Sequence, residues 1–245
     1  MIEDDVVILD GSVVEDGVLI EAGSTVFPRS TLMAGRVYSG SPAKEIRGLS
    51  SIERSSRELR LRESNAASAS SIGTDAPAEY ALRDDVFAAQ TARLAGRITL
   101  ERDSSVFFGC HLDAGKSSIV IGEHSNIQDN TRIYCTGAEV TIGSHTTIGH
   151  NVLIKSCQIG QRALVGIGSI VSAGTIIDDD VLLAAGATTT EGQFLERGWM
   201  WGGRPARRIS QINDAKRSMM AEIIEHYRNY GHAYGRAQRL TRPGA

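Results

Sequence analysis

Aliphatic residues return every six positions along much of this chain, and no other feature limits its fold so tightly. Ile159, Val165, Val171, Ile177 and Leu183 form one unbroken series. A small or β-branched residue follows each of them by four places: Ala163, Ser169, Thr175, Val181 and Ala187. Upstream, Ile121, Ile127 and Ile133 keep the step, as do Ile142 and Ile148, with interruptions at 117–120 and 135–139 and one shortened hexad before Ile159. A period of six fits neither an amphipathic helix nor a long alternating strand. It fits an all-β parallel solenoid in which each hexad is one flat face plus a corner. Three hexads, about eighteen residues, close a triangular coil, and stacked coils bury a continuous aliphatic column.

The first fifty residues repeat the theme. Ile2, Ile8, Val14, Ile20 and Val26 recur every six, and GSPAKEI at 40–46 parallels GRPARRI at 203–209. The start of the chain therefore duplicates the end of the main prism and its exit turn. Four to five hexads make less than two coils, so this segment is expected to have marginal stability alone, as an extra cap or the relic of a tandem protein. Near the C-terminus, Met220, Ile223, Ile224, Tyr227, Tyr230 and Tyr234 form one apolar stripe at helical spacing, suited to docking along the prism wall. These signals divide the chain into a partial repeat segment (1–48), a helix (49–63), a Ser/Ala-rich linker (64–82), the solenoid (83–207), a C-terminal helix (208–236) and a tail (237–245).

Composition narrows the partners. A formal net charge of -3 argues against a nucleic-acid partner. No apolar run is long enough to span a membrane, and the acidic start MIEDDVVILDG lacks the basic and apolar regions of a signal peptide, so a cytoplasmic protein is expected. Cys110, Cys135 and Cys157 follow no metal-site spacing and are expected to be reduced core thiols. His124 and His145 fall at corners that ordinarily face solvent, and His226 and His232 lie on the solvated side of the predicted helix. Phosphate-loop and nucleophile-elbow motifs are absent.

More specific pieces then stand out: NIQDN (126–130), VTIGSHTTIGHNVLIKSC (140–157), IGQRALVGIGSIV (159–171) and GGRPARRI (202–209), followed by the helix. Across residues 93–235 the chain resembles the γ-class carbonic anhydrase family, a branch of the left-handed β-helix hexapeptide-repeat superfamily. The resemblance implies a left-handed prism and a homotrimer, with zinc or iron held at subunit interfaces by three histidines from two neighbouring subunits. A catalytic zinc keeps three protein ligands and one open position, where bound water ionises near neutral pH and attacks carbon dioxide.

On the positions that the resemblance aligns, the ligand set is incomplete. His150 of IGH stands at one ligand position, while Tyr134 and Lys155 occupy the other two. Gln128 and Asp129, which in the family help order the site and the interface, are present, and the family's RGD-like stretch reads Asp113-Ala114-Gly115. A phenol ionises near pH 10 and an ammonium is a cation where a dication would sit, so both are poor ligands. Lys155 is expected either to replace the metal's charge, near Asp129 and Tyr134 across the subunit boundary, or to point into interface water. His111, beside Asp113, is the candidate substitute ligand, paired with His150. The expectation is a protein inactive in CO2 hydration, without a cofactor, acting as a structural or assembly homo- or hetero-oligomer. Two alternatives stand beside it: a working carbonic anhydrase whose altered site is shared with an intact paralogue, and a hexapeptide-family acyltransferase that uses His150 as a general base.

Overall fold

The computed structural model describes residues 1–3, 6–9, 11–50, 53 and 85–240. It divides into two compact units, residues 1–79 and 80–245. The expected linker and nearly all of the expected helix at 49–63 lie outside the described residues.

The larger unit is a left-handed parallel β-helix. Its strands run from β8 (Phe87–Ala88) and β9 (Arg93–Leu100) through β10 (Ser105–Val106), the long β11 (His111–Ile121), β12 (Asn126–Ile127), β13 (Arg132–Tyr134), β14 (Val140–Ile142), β15 (Thr147–Ile148), β16 (Leu153–Lys155) and β17 (Gln158–Ile159). They continue through β18 (Leu164–Val165), β19 (Ile170–Val171), β20 (Ile176–Ile177), β21 (Leu182–Leu183) and β22 (Phe194–Leu195) to β23 (Trp199–Gly202) and β24 (Arg207–Gln211). One wall stacks β8, β10, β12, β15, β18, β21 and β23 in parallel register. Its inward column reads Ala88, Val106, Ile127, Ile148, Val165, Leu183, Trp201. Val106, Ile127, Ile148, Val165 and Leu183 are fully buried. The hexad residues are therefore the core, because each flat face turns one side chain inward and the coils above and below cover it.

The prism ends in a lid. Strand β24 pairs antiparallel with β23, and the chain turns between them through a cis Arg204-Pro205 bond. The smaller unit is built alike. Its strands β1 (Val7–Ile8), β2 (Val13–Val14), β3 (Leu19–Ile20), β4 (Thr25–Val26) and β5 (Thr31–Leu32) stack in parallel, and β6 (Arg36–Ser39) pairs antiparallel with β7 (Lys44–Gly48). The pairing Arg36↔Gly48 to Ser39↔Lys44 matches Trp199↔Gln211 to Gly202↔Arg207 pair for pair, and a cis Ser41-Pro42 bond takes the same place in the turn. This unit has a core of its own, of Val18, Ile20, Val26, Leu32 and Tyr38. The lid hairpin contributes Tyr38 to this core.

The C-terminal helix, α1 (Asp214–Leu240), starts six residues later than expected and runs four further. Residues 207–211 are claimed by the lid strand instead. Asn213 then caps the helix, its Oδ1 accepting the Lys216 backbone N–H at 3.0 Å. Helix α1 packs on the wall of β8, β10, β12 and β15. Tyr227 meets Phe107 edge-on at 5.2 Å, and Met220 joins Leu182 and Ile212 in a small cluster.

The corner histidines, His145 exposed and His124 half-buried, contact one another. Asp103, His124, His145, Arg162 and Asp180 all take the left-handed backbone conformation at one corner. The His124 and His145 rings lie 4.8 Å apart, and Asp103 carries His124 on one oxygen and His232 of α1 on the other, at 3.5 and 2.9 Å. Burial, then the neighbouring His124 and Arg162, hold the His145 pKa below its ordinary value. The unfolded chain thus takes up a proton at His145 more readily than the folded one. Stability from this group should be complete above about pH 6.5 and fall as pH drops below that value. A His145→Gln variant should flatten that part of a denaturation-midpoint profile. The Arg162 guanidinium lowers the pKa of Asp180, so the corresponding loss from Asp180 falls in more acidic solution.

Candidate functional site

The residues singled out in the sequence fall into two groups. The first lies on the wall of β11, β13 and β16. There Asp113, Tyr134 and Lys155 are register partners on three successive coils, as are His111, Arg132 and Leu153 two residues earlier on each strand. Alternation along β11 puts His111 and Asp113 on one face. The Tyr134 hydroxyl lies 3.3 Å from His111 Nδ1, and the two rings meet edge-on. Asp113 accepts the Gly115 backbone N–H at 2.8 Å, closing a local turn. Lys155 is exposed and has no ion-pair partner among the described residues.

The second group lies beside α1. His150 is buried, 3% exposed, in the turn before β16. The Tyr227 hydroxyl sits 2.8 Å from its Nε2. The Asp129 Oδ2 is 3.1 Å from its Nδ1, yet off the direction of the ring N–H, so that contact is electrostatic rather than an aligned hydrogen bond. The other Asp129 oxygen accepts the Phe108 backbone N–H at 3.0 Å. Gln128 is buried as well, and its amide donates to Asn126 Oδ1, whose own amide donates to Thr147. Within the chain, His111 meets Tyr134.

Tyr227 is the residue that sequence reasoning missed. It was legible as a member of the apolar helix stripe, but nothing in the stripe says which prism residue its hydroxyl meets. Tyr227→Phe should leave a buried imidazole nitrogen unpaired and lower stability by about 1–3 kcal/mol, read as a shift in the denaturant midpoint. The same change frees Nε2 for any other acceptor, donor or ion.

The donor set of one chain does not fit a metal ion. Among the described residues no group of three or more His, Cys, Asp or Glu side chains is placed to hold one. The thiols do not repair this. Burial pushes Cys110 and Cys157 up to about 12 and also raises Cys135, so none is a thiolate at neutral pH.

The fold and its lateral helix define a class: a hexapeptide-repeat β-helix protein with an Asp–His–Tyr contact where the wall meets the helix. Searches against family models found no match. Among curated proteins, the chain is 28% identical to gamma carbonic anhydrase 2, mitochondrial, of Arabidopsis thaliana over 152 residues, 59% of this chain and 55% of that protein. It is 32% identical to protein YrdA of Escherichia coli over 133 residues, 51% of this chain and 72% of that protein. Among solved structures, a hexapeptide transferase family protein from Anaplasma phagocytophilum matches with a TM-score of 0.60 at 31% identity, covering 62% of this chain and 90% of that one. The chain belongs to the γ-class carbonic anhydrase-like family of hexapeptide-repeat proteins. It spans 55 to 60% of the length of the plant carbonic anhydrases it matches. Among the described residues no helix is long and apolar enough to cross a membrane.

Proposed function

We propose that this protein is a γ-carbonic-anhydrase-like subunit that does not hydrate carbon dioxide and serves a structural or assembly role in a homo- or hetero-oligomer. One observation carries the reading. His150, the single imidazole at the three positions the resemblance assigns to metal ligands, meets the Tyr227 hydroxyl of its own chain at Nε2, with Asp129 beside Nδ1. The other two positions hold a phenol and an ammonium that are register partners on adjacent coils. Tyr134 rests against His111, and Lys155 extends into solvent from the single chain.

This arrangement has a consistent chemistry of its own. A zinc site of this family draws its strength from three neutral donors around a dication, and removing two leaves little affinity. An ammonium at one of those positions supplies positive charge without an ion. In an oligomer, Lys155 would face the neighbour's acidic residues, Asp129 among them, where the family places a metal between subunits. Gln128 and Asp129 then act as interface residues, and Asp113 takes the place of a residue in an intersubunit ion pair. A trimer is the assembly that the family resemblance favours.

Elemental analysis of the purified oligomer, with its mass from light scattering and a stopped-flow assay of CO2 hydration, tests the proposal. The expected result is a trimer-sized species with no stoichiometric zinc or iron and no hydratase activity above the uncatalysed rate. Stoichiometric metal with hydration activity would overturn it. A cytoplasmic location is part of the proposal, against the mitochondrial names of the plant relatives, and cell fractionation decides between them.

A further inference from the structure

Residues 230–236 of α1 read YGHAYGR, with Tyr-Gly-His and Tyr-Gly-Arg repeated four residues apart, and the carbonic anhydrase resemblance does not use them. In the structure Arg228, His232, Arg236 and Arg239 follow one another at helical spacing along one edge of the helix. The glycines one place before His232 and Arg236 leave that edge open. The result is a groove of about 330 Å³ between the helix and the first coils of the prism. Its floor is Val86, Phe87 and Ser105. Space is tight at Gly231, where a Cβ would stand 3.3 Å from the Ser105 Cβ, and freer at Gly235, where the nearest side-chain atoms would be at 3.7 Å.

The polar groups of this groove are unevenly satisfied. Asp103 is held by His232 at 2.9 Å. Asp85 also has a partner in the structure. Arg228 pairs with Glu225 through Nη2, but its buried Nε has no acceptor. Arg236 and Arg239 have no ion-pair partner among the described residues. Ser105 is 2% exposed, and its hydroxyl lines the groove with no hydrogen-bond partner. An unpaired buried hydroxyl and an unpaired guanidinium nitrogen are both costly, and one acceptor-rich ligand would satisfy both. Planar guanidinium forks match the oxygens of phosphate, and a volume of this order admits a phosphate with a small polyol attached.

We infer that this groove is a binding site for a small phosphomonoester, with Arg228, Arg236 and Arg239 as its anion clamp and Ser105 as a buried hydroxyl contact. The site is separate from the His150 group and does not depend on whether the chain binds metal. Calorimetric titration of the full chain with inorganic phosphate, glycerol 3-phosphate and glycerol tests it. The first two should bind saturably at one per chain, and more weakly as salt is raised, whereas glycerol should not bind. Arg236→Ala with Arg239→Ala should weaken glycerol 3-phosphate binding roughly tenfold or more. Gly235→Leu, which keeps every charge and favours the helix, should abolish binding by filling the groove. A circular-dichroism melt of each variant verifies folding. Absence of saturable phosphate binding, or unchanged affinity in both folded variants, would overturn the inference. Phosphatidylcholine vesicles carrying phosphatidic acid form the last arm: binding to them without binding of the soluble probes would place the anion on a lipid and refute a small-molecule site.

Discussion

Tyr134→His combined with Lys155→His should give a chain carrying about one zinc per subunit. The two positions are register partners on adjacent coils, so their Cα atoms lie one coil spacing apart, close to 4.8 Å. Imidazoles there can converge on one ion at the usual zinc–nitrogen distance of about 2.0–2.1 Å. The third ligand would be the His150 of a neighbouring copy, which the family resemblance assigns and which must first leave Tyr227. Lys155→His alone should fail, because two imidazoles and a phenol make a weak set. Adding Tyr227→Phe to the double variant should tighten zinc further, since Nε2 then has no competing partner. Inductively coupled plasma measurement of zinc after gel filtration reads all four proteins. If the double variant holds no zinc, the assignment of Tyr134 and Lys155 to the ligand positions is wrong.

Gly143→Ala should be among the most damaging single-methyl additions in the prism. A Cβ there would lie 2.6 Å from the Gly160 carbonyl carbon and 2.7 Å from the Gln161 nitrogen. Both obstacles are backbone of the next coil, which cannot swing aside as a side chain would. Relief requires the coils to part, and the backbone ladder between Ile142 and Ile159 runs through this point. The loss should be about 3 kcal/mol, at the upper end for overpacking, with the denaturant slope unchanged. Gly235→Ala is the matched control. Its Cβ would meet nothing closer than 3.7 Å, so it should add about 0.5–1 kcal/mol through helix propensity. Equal effects from the two would contradict the stacking described above.

Much of the architecture is written in local pattern. Each hexad carries its own instruction, an aliphatic residue to turn inward and a small residue at the corner, and repetition makes the instruction readable without any neighbour. The same is true of the two lids, whose matching Gly-Ser-Pro-Ala and Gly-Arg-Pro-Ala turns declare their kinship in the chain. The helix start was misplaced because Arg207–Gln211 has no strong pattern of its own, and only the exposed edge of β23 makes it a strand.

The candidate site divides along the same line. That Asp113, Tyr134 and Lys155 stand together follows from coil length, and coil length can be counted along the chain. The stacking of His124 on His145, and the hold of Asp103 on both His124 and His232, required the third dimension. So did the meeting of Tyr227 with His150, which are 77 residues apart. Repeats relate each residue to its counterpart one coil away, whereas a helix laid across several coils touches residues that no period connects. The amino-acid sequence thus determined the prism, its inward column and which side chains stand at positions 113, 134 and 155 of one wall. The tertiary structure alone decided what occupies His150, because that depends on where one helix face comes to rest.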